Sequence, residues 1–308
     1  MQVVHGHTHV PITARAAVVA IGNFDGVHRG HQALLLASVA KGKEIGRASG
    51  VMVFEPHPRE FFQPNEQHFR LTPLNRKLTL FEKIGLKVAF VEPFDAHLAA
   101  MTADEFIERV LVAGLGVAHV IIGYDFYFGN KRGGNPELMV DAGKELGFGV
   151  TVMSPVAEKG EVFSSSGVRL HLAQGDVRGA AHMLGANWRV SGKVVGGAKR
   201  GTGLGYPTAN VPMPKGTVLG HGIYAVRAHV DGKTHDAAAY LGTRPTFDDG
   251  MPVLEVFLFD YDGDLYGHEM DVEFIDFIRG DRKFASPDEL VAQMDEDVAK
   301  ARAVLAAI

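Results

Sequence analysis

The sequence predicts an α/β protein of two domains: a parallel-sheet α/β domain, then an antiparallel β-barrel with a terminal helix. Three observations carry this. Apolar strand-like runs alternate with helical patterns from residue 16 to about residue 149, the signature of βαβ units. Beyond residue 186 the apolar period shortens to two, as half-buried strands require. A chain of 308 residues is also long enough for two separate cores. The expected domains are therefore 1–185 and 186–308.

Apolar residues make up 46% of the chain and charged ones 22%, the balance of an ordinary globular protein. There is no cysteine, which excludes disulfides, thiolate metal sites and cysteine nucleophiles. The net charge of −5 argues against nucleic acid or an anionic membrane as partner. No apolar stretch approaches the roughly 20 residues that span a bilayer. The first residues show neither a basic n-region nor a long apolar h-region. The expectation is a cytoplasmic protein whose oligomeric state the sequence leaves open. His5, His7 and His9 alternate near the start and read as a lightly ordered polar end. Chelation from one strand face is the other reading.

In the first domain, strands are expected at residues 16–21, 50–54, 87–91, 118–122 and 149–153. Helical patterns fill residues 30–41, 73–84, 103–115 and 136–146, and Thr102 with Glu105 forms a capping box. Ligands of such sheets bind at the carboxyl ends of strands. The first such end reads Gly22-Asn-Phe-Asp-Gly-Val-His-Arg-Gly-His31. Gly22 and Gly26 permit a sharp turn and close approach of a ligand. His28 and His31, three apart, share a face where a helix begins, and a helix N-terminus favours phosphate. Glycines serving turn geometry, with histidines on a polar surface, are the alternative. A two-histidine metal site has no acid or cysteine at the usual spacing to complete it.

Further loops fall at similar ends. Phe54-Glu-Pro-His-Pro-Arg-Glu-Phe-Phe62 offers His57, Phe61 and Phe62 as a ring donor and stacking surfaces, or as a lid on the core. Gly123-Tyr-Asp-Phe-Tyr-Phe-Gly129 combines Asp125 with aromatics, Phe128 among them, for packing or for a ring slot. Lys131-Arg132-Gly-Gly134 is a basic glycine loop suited to phosphate, or a solvated turn. Ser164-Ser165-Ser-Gly-Val-Arg169 precedes a helix expected near Val168, where serines cap a helix or grip pyrophosphate.

Residues 176–185 read as a helix ending at a glycine. In the second domain strands are expected at residues 188–195, 222–230, 234–241, 253–261 and 267–277. Asp231-Gly232 and Asp262-Gly263 are hairpin signals, and Ser286 caps a final helix over residues 287–307. Residues 196–210 form a basic glycine-rich loop that is not a Walker A motif. Glu255 stands in an apolar strand, facing either solvent or a site.

The Gly22–His31 stretch resembles the signature of the nucleotidylyl transferase superfamily, in the form carried by bifunctional bacterial riboflavin kinase/FAD synthetases. The Ser164–Arg169 stretch follows in the family's order. So do Arg200-Gly-Thr-Gly-Leu-Gly-Tyr-Pro-Thr-Ala-Asn210, Leu241-Gly-Thr-Arg-Pro-Thr-Phe247 and the block at residues 254–267. The resemblance spans about residues 16–305 and implies a Rossmann-like first domain and a riboflavin kinase barrel. It implies ATP-dependent phosphorylation of riboflavin to FMN, then adenylylation of FMN to FAD with release of pyrophosphate. His28 and His31 then stabilise adenylyl transfer, and Gly22, Asn23, Phe24, Asp25 and Gly26 shape the nucleotide loop. Asp125, Arg132, Ser164, Ser165 and Arg169 complete that site, with His57, Phe61, Phe62 and Phe128 toward the flavin. In the barrel, Lys199, Arg200, Gly201 and Gly203 meet ATP, Thr208 and Asn210 hold Mg²⁺, and Glu255 is the general base. The chain departs from the family pattern at Asn135, Gly167, Gly196, Thr202 and Tyr240. A paralogue with one activity and a non-catalytic flavin- or nucleotide-binding regulator remain the alternatives at this point.

Overall fold

Val18-Val-Ala-Ile21 has no polar position because both faces of the sheet it centres are covered, and all four side chains are buried. The computed structural model describes residues 1–196, 206–214, 216–243 and 252–308, which divide into Met1–Ser165 and Ser166–Ile308.

In the first unit, strands β1 (Gln2–His5), β2 (Val18–Ile21), β3 (Ser49–Glu55), β4 (Val88–Pro93), β5 (His119–Gly123) and β6 (Gly149–Met153) lie in the order β1-β4-β3-β2-β5-β6. Every neighbouring pair is parallel, so each connection must cross over the sheet. The crossovers carry α1 (Arg29–Glu44), α2 (Pro58–Phe62), α3 (Leu74–Ile84), α4 (Ala96–Ala100), α5 (Ala103–Glu105) and α6 (Pro136–Leu146), with π-helical turns over Phe106–Leu115. The chain runs outward from β2 through β3 and β4, then returns to place β5 on β2's other side. A crevice opens at the carboxyl ends of strands where the order reverses, here beyond β2 and β5. Thr102 and Glu105 form the expected reciprocal cap, at 3.2 and 3.0 Å.

The N-terminus differs from the lightly ordered end expected of it. Residues 2–5 are an edge strand paired with β4, with Val4 buried. His7 Nδ1 meets the buried Glu92 carboxyl at 2.7 Å. One apolar position seats so short a strand when its neighbour supplies the whole hydrogen-bond ladder, a signal too small to read from sequence.

α7 (Ser165–Ala173) begins three residues before the expected Val168, and α8 (Val177–Leu184) runs from its Asp176 cap to Gly185 at φ +72°. α8 joins the second unit through an Arg178–Asp276 ion pair at 2.7 Å, and α7 through a Gly220 N–H donated to Leu172 O at 2.8 Å. The compact division therefore falls ahead of α7.

After a short antiparallel pair, β7 (Ala157–Glu158) and β8 (Glu161–Val162), strands β9 (Arg189–Lys193), β10 (Ala209–Pro212), β11 (Gly222–Val230), β12 (Lys233–Thr243), β13 (Pro252–Leu258) and β14 (Glu269–Arg279) form an antiparallel sheet ordered β10-β13-β12-β11-β14-β9. A bridge between Val195 and Asn210 joins its two edges and closes a barrel. Gly192 permits that closure, since a Cβ there would lie 2.9 Å from the Val211 side chain. Asp231 and Gly232, at φ +49° and +74°, make the expected tight hairpin. Asp262-Gly263 does not: β14 pairs with β11 and β9 rather than β13, so residues 259–268 cross between strands that are not neighbours. The terminal helix α9 (Pro287–Ala306), capped by Ser286 at 3.2 Å, lays Ala301 and Leu305 on Ala225, Ala238 and Ile275. Among the described residues no helix is long and apolar enough to cross a membrane.

Removing the His7 ring would strand a buried carboxyl. His7→Ala should lower first-unit stability by about 1–3 kcal/mol, read as a fall in its urea midpoint. His9→Ala, whose ring bonds the adjacent Thr8, should leave the midpoint in place.

Candidate active sites

At the carboxyl end of β2 the chain turns through Phe24 (φ +48°), Gly26 (φ +86°) and Val27 (φ +47°) before α1 begins. Two of these left-handed positions carry side chains, and both are buried in the core under α1. Asp25 supplies the force that holds the turn: its carboxylate accepts the Leu71 and Thr72 N–H groups, each at 3.1 Å. Its carbonyl accepts the Ser165 hydroxyl at 2.8 Å. Two distant segments are thereby fixed around one loop.

His28 is the N-cap of α1, its Nδ1 accepting the His31 N–H at 3.3 Å. Because Nδ1 accepts, the proton of the neutral ring sits on Nε2. The His31 ring stacks on it, 3.6 Å between centroids and 24° between planes, with the Phe24 edge against its far side. Burial pushes His28 down to about 4, against a smaller upward pull from Asp25. Burial, the His28 ring and the Lys77 ammonium hold His31 well below the usual imidazole range. The pair is thus two neutral N–H donors. His31 Nδ1 and Asn23 Oδ1 are buried without a hydrogen-bond partner, as polar atoms aimed at an absent ligand would be. Gly30 keeps the approach tight, since a Cβ there would lie 3.1 Å from both the His28 ring and the Phe163 carbonyl. That contact brings Ser164 and Ser165, both half-buried, toward the start of α1.

Other predicted residues of this unit ring the same end of the sheet. His57 caps α2 by accepting the Arg59 N–H at 3.1 Å and lies 4.5 Å from the His68 ring. Burial, then His68, pushes His57 down to about 4. Phe61 and Phe62 meet each other and Phe94 edge to face, and Phe62 is 63% exposed. Phe128 is buried, stacked on Phe126 and paired through both backbone groups with Gly134. Within that loop Arg132 lies over the Tyr127 ring at 4.9 Å, and Asp125 is exposed. Asn135, a departure from the family pattern, caps α6 by accepting the Leu138 N–H at 2.8 Å. Arg169 and Gly167 belong instead to the second unit, on α7, where both are half-buried.

In the second unit the strand register sets the site. Asn210 on β10 and Glu255 on β13 are direct partners, and so are Glu255 and Tyr240 on β12. Directly opposed residues share a face, so a carboxamide, a carboxylate and a phenol stand in one row. Leu254 and Val256 are fully buried on the other face, which turns Glu255 outward. Ala238 and Phe257, the next pair along that face, are packed under α9. Tyr240 bonds Asp281, and its ring covers Gly242, where a Cβ would meet the hydroxyl at 2.1 Å. Burial and Asp281 raise its pKa, keeping it a donor. Thr208 is half-buried two residues before Asn210, and Tyr206 is tied by its hydroxyl to Asp295 of α9. Lys199, Arg200, Gly201, Thr202 and Gly203 lie outside the described residues, whereas Gly196 is described and exposed.

Sequence reading missed Lys77, buried in α3, whose Nζ donates to the Asn23 carbonyl at 3.0 Å. A signal existed: Leu74, Lys77, Leu78 and Phe81 form an i, i+3, i+4, i+7 stripe, with the lysine at a core position. It also missed Arg70, bound to Glu55 at 2.7 and 2.9 Å and to Glu60, which braces the His57 loop.

Comparison with known proteins covers both units. A family model for FAD synthetase matches residues 11–167, and one for riboflavin kinase matches residues 184–305. A bifunctional riboflavin kinase/FMN adenylyltransferase of Pseudomonas fluorescens is 40% identical over 99% of this chain and 98% of its own. Its counterpart in Escherichia coli K12 is 39% identical over 97% and 95%. A solved structure titled as a macrolide-efflux protein from Streptococcus pneumoniae is 26% identical, covers 98% of this chain and 99% of its own, and superposes with a TM-score of 0.86.

The buried imidazoles make stability pH-dependent. His28 and His57 titrate near 4 when folded against 6.5 in the open chain. Between those values the unfolded chain binds protons that the folded one refuses, so stability is full above pH 6.5 and falls as pH drops toward 4. Urea midpoints of the first unit should fall over that window. His28→Gln with His57→Gln should flatten the fall, and an unchanged slope would refute the assignment.

Proposed function

The chain belongs to the bifunctional riboflavin kinase/FMN adenylyltransferase family, and from that premise we propose which residues perform each of its two reactions. It phosphorylates riboflavin to FMN with ATP, and transfers AMP from a second ATP to FMN to give FAD. We place adenylyl transfer in residues 1–185 and the kinase in residues 186–308. The observation that carries this division is the separation of two chemically different constellations. Stacked neutral imidazoles stand at the start of α1, and a carboxylate faces a carboxamide in the barrel.

In adenylyl transfer the nucleophile is an FMN phosphate oxygen, already an anion. It bonds to the α-phosphorus of ATP while the bond to the bridging oxygen breaks and pyrophosphate leaves. No base is required; what the reaction needs is positioning and stabilisation of charge. His28 Nε2–H and His31 donate to the phosphoryl oxygens as charge develops there. The turn of Gly22, Asn23, Phe24, Asp25 and Gly26 brings backbone close to the triphosphate, and Ser164, Ser165 and Arg169 bind it beyond the histidines. Asp125 and Arg132 contact the nucleotide, while His57, Phe61, Phe62 and Phe128 receive the flavin.

In the kinase reaction the nucleophile is a neutral alcohol, so a base is needed. Glu255 accepts the proton of the terminal ribityl hydroxyl as its oxygen bonds to the γ-phosphorus and ADP leaves. Lys199, Arg200, Gly201 and Gly203 cover the ATP phosphates. Thr208 and Asn210 offer hydroxyl and carboxamide oxygens, hard donors that suit Mg²⁺. Among the described residues no group of three His, Cys, Asp or Glu could hold a metal ion. Thr208 and Asn210 would hold the Mg²⁺ ion, which would supply neutralisation of phosphate charge.

Chromatography of flavins formed from riboflavin and Mg-ATP tests the division. His28→Ala with His31→Ala should cut FAD formation by about 100-fold or more while FMN still accumulates. Glu255→Ala should cut FMN formation by about 100-fold or more while added FMN is still converted to FAD. Loss of both activities from either folded variant would overturn it.

A further inference from the structure

The mechanism above leaves the buried Lys77 unused. Lys77 is 2% exposed, and holding an ammonium out of water costs several kcal/mol unless its partner compensates. Its hydrogen bond goes to a backbone carbonyl, that of Asn23. Burial lowers its pKa, Asp25, Glu55 and Glu60 pull it back up, and Arg70 opposes them. The carbonyl it grips belongs to the turn that presents the imidazole pair. The same charge lowers both His31 and His57. Asn23 Oδ1 and His31 Nδ1, the two buried atoms without hydrogen-bond partners in this turn, are on residues it bonds or faces.

We propose that Lys77 is a positioning residue for adenylyl transfer: through the Asn23 carbonyl it fixes the phosphate turn, and behind that turn it places a positive charge. This rests on the assignment of FAD formation to His28 and His31. Neutral histidines bring no net charge to a site that must hold a triphosphate against an FMN phosphate. A cation locked behind the turn supplies it without taking a donor from the ligand-facing side, and being fixed in advance it needs no reorganisation as the reaction proceeds. Asp25, Glu55, Arg70 and Glu60 are the charged groups that act on the ammonium, and His31 and His57 are the imidazoles it acts on.

Lys77→Met keeps the length and removes the charge. In the full chain it should lower kcat/KM for FMN adenylylation by about 10- to 100-fold, while FMN formation from riboflavin stays within about twofold of the parent. NMR titration of the His57 imidazole should show its midpoint rising above the parent's by about half a pH unit or more, which a purely structural role would not require. Adenylylation within twofold of the parent, or a loss of activity with the His57 midpoint unmoved, overturns the proposal. If the methionine variant loses both activities, Lys77→Arg carries the test. With charge retained, its His57 midpoint should match the parent's, and a displaced midpoint refutes the proposal. His28→Ala with His31→Ala separates the two failures: if that pair leaves FAD formation intact, the site assignment fails rather than the role of Lys77.

Discussion

The first active site depends on one carboxylate. Asp25 holds the turn after β2 by accepting two consecutive backbone N–H groups from residues 46 and 47 positions away, and its carbonyl takes a hydroxyl 140 positions away. Without those bonds the left-handed conformations of Phe24 and Val27 would have nothing to impose them. The sheet decides where the turn lies, because only at β2 does the strand order reverse. Asp25 decides its shape, and the shape sets one imidazole against the other.

The two units solve one problem, phosphorus transfer from ATP, with different residues because their nucleophiles differ. On the proposed assignment, a phosphate anion needs donors, which the neutral rings at the α1 start would supply, and charge, which Lys77 would supply. An alcohol needs somewhere to send a proton, the role we propose for Glu255, turned out between two buried neighbours. Antiparallel register is an economical way to assemble the second site. Three residues far apart in sequence, Asn210, Tyr240 and Glu255, become one row through the pairing of three strands.

Much of this was legible in the chain. The strand–turn–helix at residues 16–31, the caps at Thr102, Asp176 and Ser286, and the Asp231-Gly232 hairpin all rest on local rules, and all are present. What local rules cannot carry was lost. β1 depends on a partner strand far along the chain, and Asp262-Gly263 has hairpin chemistry but sits between strands that are not neighbours. The stacking of His28 on His31 follows from their spacing. The anchoring of Asp25 to Leu71 and Thr72 does not, because a carboxylate in a glycine turn gives no sign of which N–H groups it will meet. Lys77 was legible in principle, as a charged residue in an apolar stripe. It reads as a surface lysine unless burial is known.

Two sites that share only a diffusible intermediate should work from separate molecules. The direct measurement mixes a chain carrying His28→Ala and His31→Ala with one carrying Glu255→Ala, supplies riboflavin and Mg-ATP, and follows FAD. Independent sites predict that the mixture makes FAD after a lag in which free FMN builds up, although neither chain does so alone. No FAD from the mixture, with FMN accumulating and the second chain still converting added FMN on its own, would contradict that independence.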